Sequence, residues 1–326
     1  MIIDYNGKLT KLPDFFVVGA ARSGTTSLHY FLKQHPDIFM PEVKEIGFFR
    51  FVNTPIELIR MVEKKRSLRL VYTFDDYIRH FEKAFKTEMI GEACNWYLYA
   101  YKDTIKNIKV VYRENYEKLK IIIILRNPAD RAWSHFMVYQ RDGKEPIEDF
   151  KEAIKPEVYN KRLEDNKGFP VGLGDYIGLG MYYEQVDAYL REFQDVKIFL
   201  YDDLCRDTLK VVREIYSFLG VSEGFTPDVK KRYNTSGESK VKLLNTFVTH
   251  NYIMKYFLKS LVPFKMRDKI KHTIFEKNTQ RKEMPGDIRR ELIKFYEDEI
   301  IKLQKLVKRD LSSWLNCEHP CLGIDE

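Results

Sequence analysis

Cysteine is scarce. The 326 residues hold four, Cys94, Cys205, Cys317 and Cys321, too few for a disulfide framework. The nearest pair lies in CEHPC, with His319 between. That falls short of the ligand set of a tetrahedral zinc site, so free thiols and no metal are expected. Long apolar runs are missing too. No stretch of about 18 apolar residues occurs, so no transmembrane helix is expected. The start, MIIDYNGKLTKLPDF, has no apolar signal-peptide core, and a cytoplasmic location is the expectation. Internal repeats, low-complexity tracts and a convincing linker are absent, which favours one domain over 1–326.

Charge of one sign is not in great excess. Lys plus Arg number 55 and Asp plus Glu 48, a net charge of +7. That balance suits an anionic ligand but makes a mixed, solvated surface rather than a nucleic-acid footprint. At 44% hydrophobic and 14% aromatic residues, the chain has material for a sizeable core, and dominant disorder is excluded.

The most informative absence is a single lysine. VVGAARSGTTSL (17–28) has the G-x-x-x-x-G-K-[ST] spacing of a phosphate loop, with Gly19, Gly24 and Thr26 in place, but Thr25 fills the lysine position. The apolar run Asp14 to Ala20 before it reads as a buried strand. TTSLHYFLKQHP after it reads as a helix stopped near Pro36. Backbone amides in such a turn point at an anion, and the helix N-terminus adds partial positive charge. Thr25 and Thr26 offer hydroxyls, while Arg22 and Ser23 sit inside the loop, where Arg22 supplies a cation.

KLKIIIILRNP (118–128) holds the strongest strand, Ile121 to Leu125, apolar enough for burial on both faces. A Mg-nucleotide site would place an Asp at its end; Arg126 stands there instead. Ser134, in the helix that follows, is in reach of the same phosphate. Two grips on one sheet edge point to a ligand phosphorylated at two positions. EMIGEA (88–93) is a weaker strand. VKIFLYDDL (196–204) reads as a strand, followed by the helix TLKVVREIYSFLG with Gly220 as its C-cap. IRRELIKFYEDEIIKLQKLV reads as one long helix. Alternating strands and helices imply an α/β fold: a P-loop-like, mostly parallel sheet with helices on both faces and a helix-rich C-terminal part from about 240 to 326.

At these residues the chain resembles the sulfotransferases that use 3′-phosphoadenosine 5′-phosphosulfate (PAPS), in particular the heparan-sulfate-type branch and its bacterial relatives. GAARSGTTSL resembles the 5′-phosphosulfate loop. IIIILRNPADRAWSHF resembles the 3′-phosphate segment, whose Arg and Ser roles fall on Arg126 and Ser134. PEVKEIGFF (41–49) resembles the K-E-x-x-F-F loop, so Glu45 inherits the role of base on the acceptor and Lys44 a supporting one. GEACNWYLY resembles the G-E-x-[ST]-P-x-Y segment, and YNTSGESK resembles a cofactor loop that would use Lys240. The likeness runs from about Asp14 to Trp314.

The resemblance implies a PAPS-dependent sulfotransferase, releasing adenosine 3′,5′-bisphosphate. Arg22, Ser23, Gly24, Thr25, Thr26 and Ser27 would serve the phosphosulfate end, with Arg22 also catalytic. Glu45 would take a proton from a hydroxyl or amine, on a glycan or a small molecule. Three departures stand out. Ala93 and Cys94-Asn95 replace the lysine and [ST]-P of many relatives, and Arg22 replaces a common lysine. A P-loop small-molecule kinase and a non-catalytic adenosine-bisphosphate or anion-binding protein are the competing readings; Thr25 and Arg126 argue against the kinase. His29 and His135 are read as structural or solvent-facing. Phe48 and Phe49 are read as core or acceptor-cleft wall. The basic segment 252–272 suits a membrane surface or a cover on the acceptor cleft, with an amphipathic helix packed on the body as the plainer reading.

Overall fold

The computed structural model describes residues 1–5, 7–52, 54–66, 70–86, 89–166, 174–230, 238–239, 279–280 and 282–316. They fall into two compact units that interleave along the chain. The first takes Met1–Asn127, Met181–Tyr233 and Tyr296–Asn316; the second takes Pro128–Gly180, Asn234–Phe295 and Cys317–Glu326. Lys240, the segment 252–272, Cys317 and Cys321 lie outside the described residues.

In the first unit, β1 (Ile2–Tyr5) and β2 (Lys8–Lys11) form an antiparallel hairpin that the sequence reading did not anticipate. β3 (Phe15–Gly19), β4 (Ile38–Phe39), β5 (Met89–Ala93), β6 (Lys120–Leu125) and β7 (Asp195–Leu200) form a five-stranded sheet in the order β4-β5-β3-β6-β7. Every pairing in it is parallel. The helices of this unit are α1 (Thr25–Lys33), α2 (Ile56–Arg66), α3 (Phe74–Arg79), α4 (Trp96–Tyr99), α5 (Tyr101–Tyr112), α9 (Tyr182–Glu192), α10 (Tyr201–Arg206) and α11 (Thr208–Leu219). The second unit holds α6 (Pro128–Arg141), α7 (Phe150–Ala153), α8 (Pro156–Asp165) and the short antiparallel pair β8 (Glu238–Ser239) and β9 (Thr279–Gln280). Helix α12 (Gly286–Val307) is the long C-terminal helix expected from its periodicity.

Strand alternation sends side chains to both faces of the sheet. Phe15, Val17, Ile122, Ile124 and Phe199 pack with Leu28, Phe31 and Leu32 of α1 and with the apolar stripe of α11. On the other face the Phe16 ring meets Phe49, Tyr97 and Tyr112 edge-on. Ile121 to Leu125 are fully buried, because β6 is paired on both sides and covered on both faces. The doubly covered α/β sheet expected from the sequence is what forms.

One boundary differs. The run read as a strand through Leu204 ends at Leu200, and α10 begins at Tyr201. Asp202 and Asp203 in the first turn suit a helix N-terminus. They also accept from Trp314 Nε1 at 2.8 Å and Arg309 Nη2 at 2.6 Å, while Leu204 joins the core.

Candidate active site

The connections leave β3 toward β4 and β5 on one side and reach β6 and β7 on the other. The crevice at the carboxyl ends of β3 and β6 is therefore a topological switch point, where open α/β sheets bind ligands. The glycine loop follows β3 and Arg126 follows β6.

The loop is tied to β6 by Ala20 N–H donating to the Ile124 carbonyl at 2.7 Å. It then passes through Arg22 at φ 68° and Gly24 at φ 84° before α1 opens at Thr25. Gly24 is required twice over. Its φ disfavours a side chain, and a Cβ there would lie 2.9 Å from Leu204 Cδ2 and 3.2 Å from Tyr201 Cδ2. Ser23 is fully buried, and its Oγ has no hydrogen-bond partner among the described residues. A buried hydroxyl left in this state at a helix N-terminus fits an anion held there. Thr25 is buried, and Thr26 and Ser27 are half-buried.

Arg126 Nη1 donates to the Arg22 carbonyl at 3.2 Å, and its guanidinium lies 4.7 Å from the centre of the Tyr201 ring. Burial raises the Tyr201 hydroxyl pKa, with Arg126 and Arg22 both opposing the rise. The Arg126 guanidinium thus lies over the Tyr201 ring while bonding the backbone of the glycine loop. The sequence reading missed Tyr201, because its residue was assigned to a strand interior. Ser134 is buried on α6 of the second unit.

The end of β5 anchors the other chemistry, the loop after β4 that carries Glu45. Cys94 N–H, just past β5, donates to the Val17 carbonyl at 3.0 Å, and Glu45 N–H donates to the Ala93 carbonyl at 3.0 Å. Glu45 is held at φ 63°, a conformation that costs a non-glycine residue and clusters at functional sites. Its Oε1 accepts from Lys44 Nζ at 2.6 Å and from Asn95 Nδ2 at 2.7 Å.

Below it, buried Glu92 accepts from Tyr77 and Tyr97 hydroxyls at 2.6 and 2.7 Å. Burial pushes its pKa up to about 7, against hydrogen bonds from Tyr77, Tyr97 and the Gly47 amide. Phe49 N–H reaches the Tyr97 hydroxyl at 3.4 Å, and Asn107 Nδ2 reaches the Phe49 carbonyl at 2.7 Å. The K-E loop is thus stitched to the segment after β5. Phe48 and Phe49 are buried core, which decides between their two readings.

His29 is buried on α1, with neither ring nitrogen hydrogen-bonded among the described residues. Burial first, then the charges of Lys44 and Lys33, pushes its pKa down to about 3. It is a neutral core side chain, in line with the structural reading. His135 is buried in the second unit against Tyr139 and Tyr176.

Strands β3 and β6 thus deliver the anion loop and a guanidinium, and the end of β5 pins the loop after β4 that carries the Glu45 carboxylate. The family model described as "Sulfotransferase domain" matches residues 12–306. The chain belongs to the sulfotransferase family.

Within that family, a 156-residue stretch is 32% identical to the membrane-associated sulfotransferase kil1 of Dictyostelium discoideum, covering 45% of this chain and 28% of that protein. A 328-residue alignment is 25% identical to human bifunctional heparan sulfate N-deacetylase/N-sulfotransferase 3, covering 94% of this chain and 32% of that one. The chain therefore spans about a third of the length of these curated relatives. The crystal structure of a sulfotransferase from Alicyclobacillus acidocaldarius superposes with a TM-score of 0.67 at 30% identity, over 94% of this chain and all of that one. The enzyme class expected from the sequence is borne out. Among the described residues no helix is long and apolar enough to cross a membrane.

Proposed function

We propose that this sulfotransferase moves the sulfuryl group of PAPS to a hydroxyl or amine, with a glycan as the acceptor class. The observation that carries the nucleotide reading is a buried, unsatisfied Ser23 hydroxyl in a loop whose Arg22 carbonyl accepts from the Arg126 guanidinium. The glycan reading rests on the K-E-x-x-F-F loop and on the heparan sulfate N-sulfotransferase among the relatives.

PAPS supplies an activated sulfuryl group and departs as adenosine 3′,5′-bisphosphate. The chain's own residues do the rest. The amides of Gly24 to Ser27, the Ser23, Thr25 and Thr26 hydroxyls and Arg22 stabilise negative charge at the 5′ end, as preorganised donors do in phosphoryl transfer. By the resemblance, the 3′-phosphate falls to Arg126 and Ser134, and Lys240 is assigned to the same nucleotide. That remote binding orients the reacting end. Glu45 takes the acceptor's proton, and Lys44 steadies its carboxylate.

Transfer of labelled sulfate from PAPS to de-N-sulfated heparin and to a panel of small alcohols, amines and lipids tests the proposal. Glu45→Gln is expected to slow transfer by at least about 100-fold, the low end for general-base catalysis, with adenosine 3′,5′-bisphosphate binding intact. Transfer at the wild-type rate would remove Glu45 as the base.

A further inference from the structure

Asn95 occupies the N-cap position of α4, where an asparagine ordinarily turns its side-chain oxygen onto an amide of the first turn. Here it makes no such bond. Its Nδ2 donates to Glu45 Oε1 at 2.7 Å, and its Oδ1 is buried without a hydrogen-bond partner among the described residues. For folding alone this is the poorer arrangement. The cap is given up, and a buried acceptor is stranded. Rotating the amide would set Oδ1 against a carboxylate oxygen, so Glu45 dictates its orientation.

Glu45 needs such support. Its backbone is held in the left-handed region, and its side chain is 37% exposed, so water alone would let the carboxylate turn. The Ala93 carbonyl fixes its backbone, and Asn95, two residues further along the same segment, joins Lys44 in holding its Oε1. In the family segment that this stretch resembles, the position of Asn95 is a proline, which has no side-chain donor, and the lysine is Ala93.

We infer that Asn95 is a positioning residue for Glu45. It adds a neutral hydrogen bond to the Lys44 ion pair on the same Oε1, in a site with alanine at position 93. The inference rests on the reading of Glu45 as the base.

The test compares wild type with Asn95→Ala, Asn95→Asp, Glu45→Gln and the double variant Glu45→Gln/Asn95→Ala. It reads Tm, adenosine 3′,5′-bisphosphate affinity, and the release of that product from PAPS, in water and with de-N-sulfated heparin. Asn95→Ala should keep or raise Tm, leave nucleotide affinity and the KM for PAPS unchanged, and lower kcat by about tenfold or more, the scale of a hydrogen bond to a charged group. The isosteric Asn95→Asp should lose more, because it faces one carboxylate with another. In the Glu45→Gln background the Asn95→Ala change should add almost nothing, since both act through one group.

A drop in Tm that accompanies Asn95→Ala, which needs no acceptor to measure, would make the bond structural and overturn the inference. So would wild-type turnover in Asn95→Ala while Glu45→Gln is slow. Wild-type turnover in Glu45→Gln would instead remove the base, and this inference with it.

Discussion

The Arg126 guanidinium donates to the Arg22 carbonyl at 3.2 Å, so the cation at the end of β6 braces the loop at the end of β3. An isolated arginine after a strand is an ordinary surface residue. One that bridges two adjacent strand ends stands at the switch point of a parallel sheet, where open α/β sheets bind ligands. Tyr201 completes the arrangement by lying under the same guanidinium.

Tyr201 is expected to matter through its ring rather than its hydroxyl. Tyr201→Phe should bind adenosine 3′,5′-bisphosphate like wild type. Tyr201→Leu should weaken binding by up to about tenfold, the scale of a partly desolvated cation–π contact. Calorimetric titration of both variants checks this, and equal losses would shift the role to the hydroxyl.

Gly24 and Gly220 both have positive φ, 84° and 79°, but a Cβ would meet Leu204 at 2.9 Å in the first and nothing within 4 Å in the second. Gly220→Ala should therefore cost about 1 kcal/mol of stability, from backbone strain alone. Gly24→Ala adds a clash with α10 and should cost more, with nucleotide binding lost as the loop is pushed out of shape. Chemical denaturation of the two variants measures the difference.

Glu92 gives a pH dependence with a definite sign. Its folded pKa of about 7 lies above the ordinary 4.5, so between these values the folded state keeps a proton that the unfolded state releases. Its contribution is fully present below pH 4.5 and declines as pH rises to about 7, by about 3 kcal/mol at most. Glu92→Gln removes that term. The stability of Glu92→Gln relative to wild type should rise across this window and level off above it. A difference that stays constant with pH would show that Glu92 is already ionised in the folded protein.

Much of this architecture is legible in the sequence, for physical reasons that are local. Ile121 to Leu125 can only be satisfied by burial on both faces. The Gly19 to Thr26 spacing fixes a strand-loop-helix turn, and Gly220 ends α11 as expected. What was not legible depends on partners distant in sequence. Tyr201 starts a helix because Asp202 and Asp203 bind Trp314 and Arg309, more than 100 residues away. Asn95 looks like a departure from a motif until its amide is seen on Glu45, 50 residues earlier. Glu92 and its partner Tyr97 lie in one recognisable segment, yet the second partner, Tyr77, comes from α3 and carries no motif.

On the proposed function, the glycine loop and Arg126 grip the two ends of one doubly phosphorylated adenosine nucleotide. Calorimetric titration with adenosine 3′,5′-bisphosphate, adenosine 5′-phosphate and Mg-ATP, on wild type and Arg126→Ala, tests it most directly. Wild type should prefer the bisphosphate over the monophosphate by about 10–100-fold, the worth of charged hydrogen bonds to one phosphate, and Arg126→Ala should lose most of that preference. Equal binding of the bisphosphate and the monophosphate by wild type, or a preference for Mg-ATP, would rule out a two-ended grip on such a nucleotide.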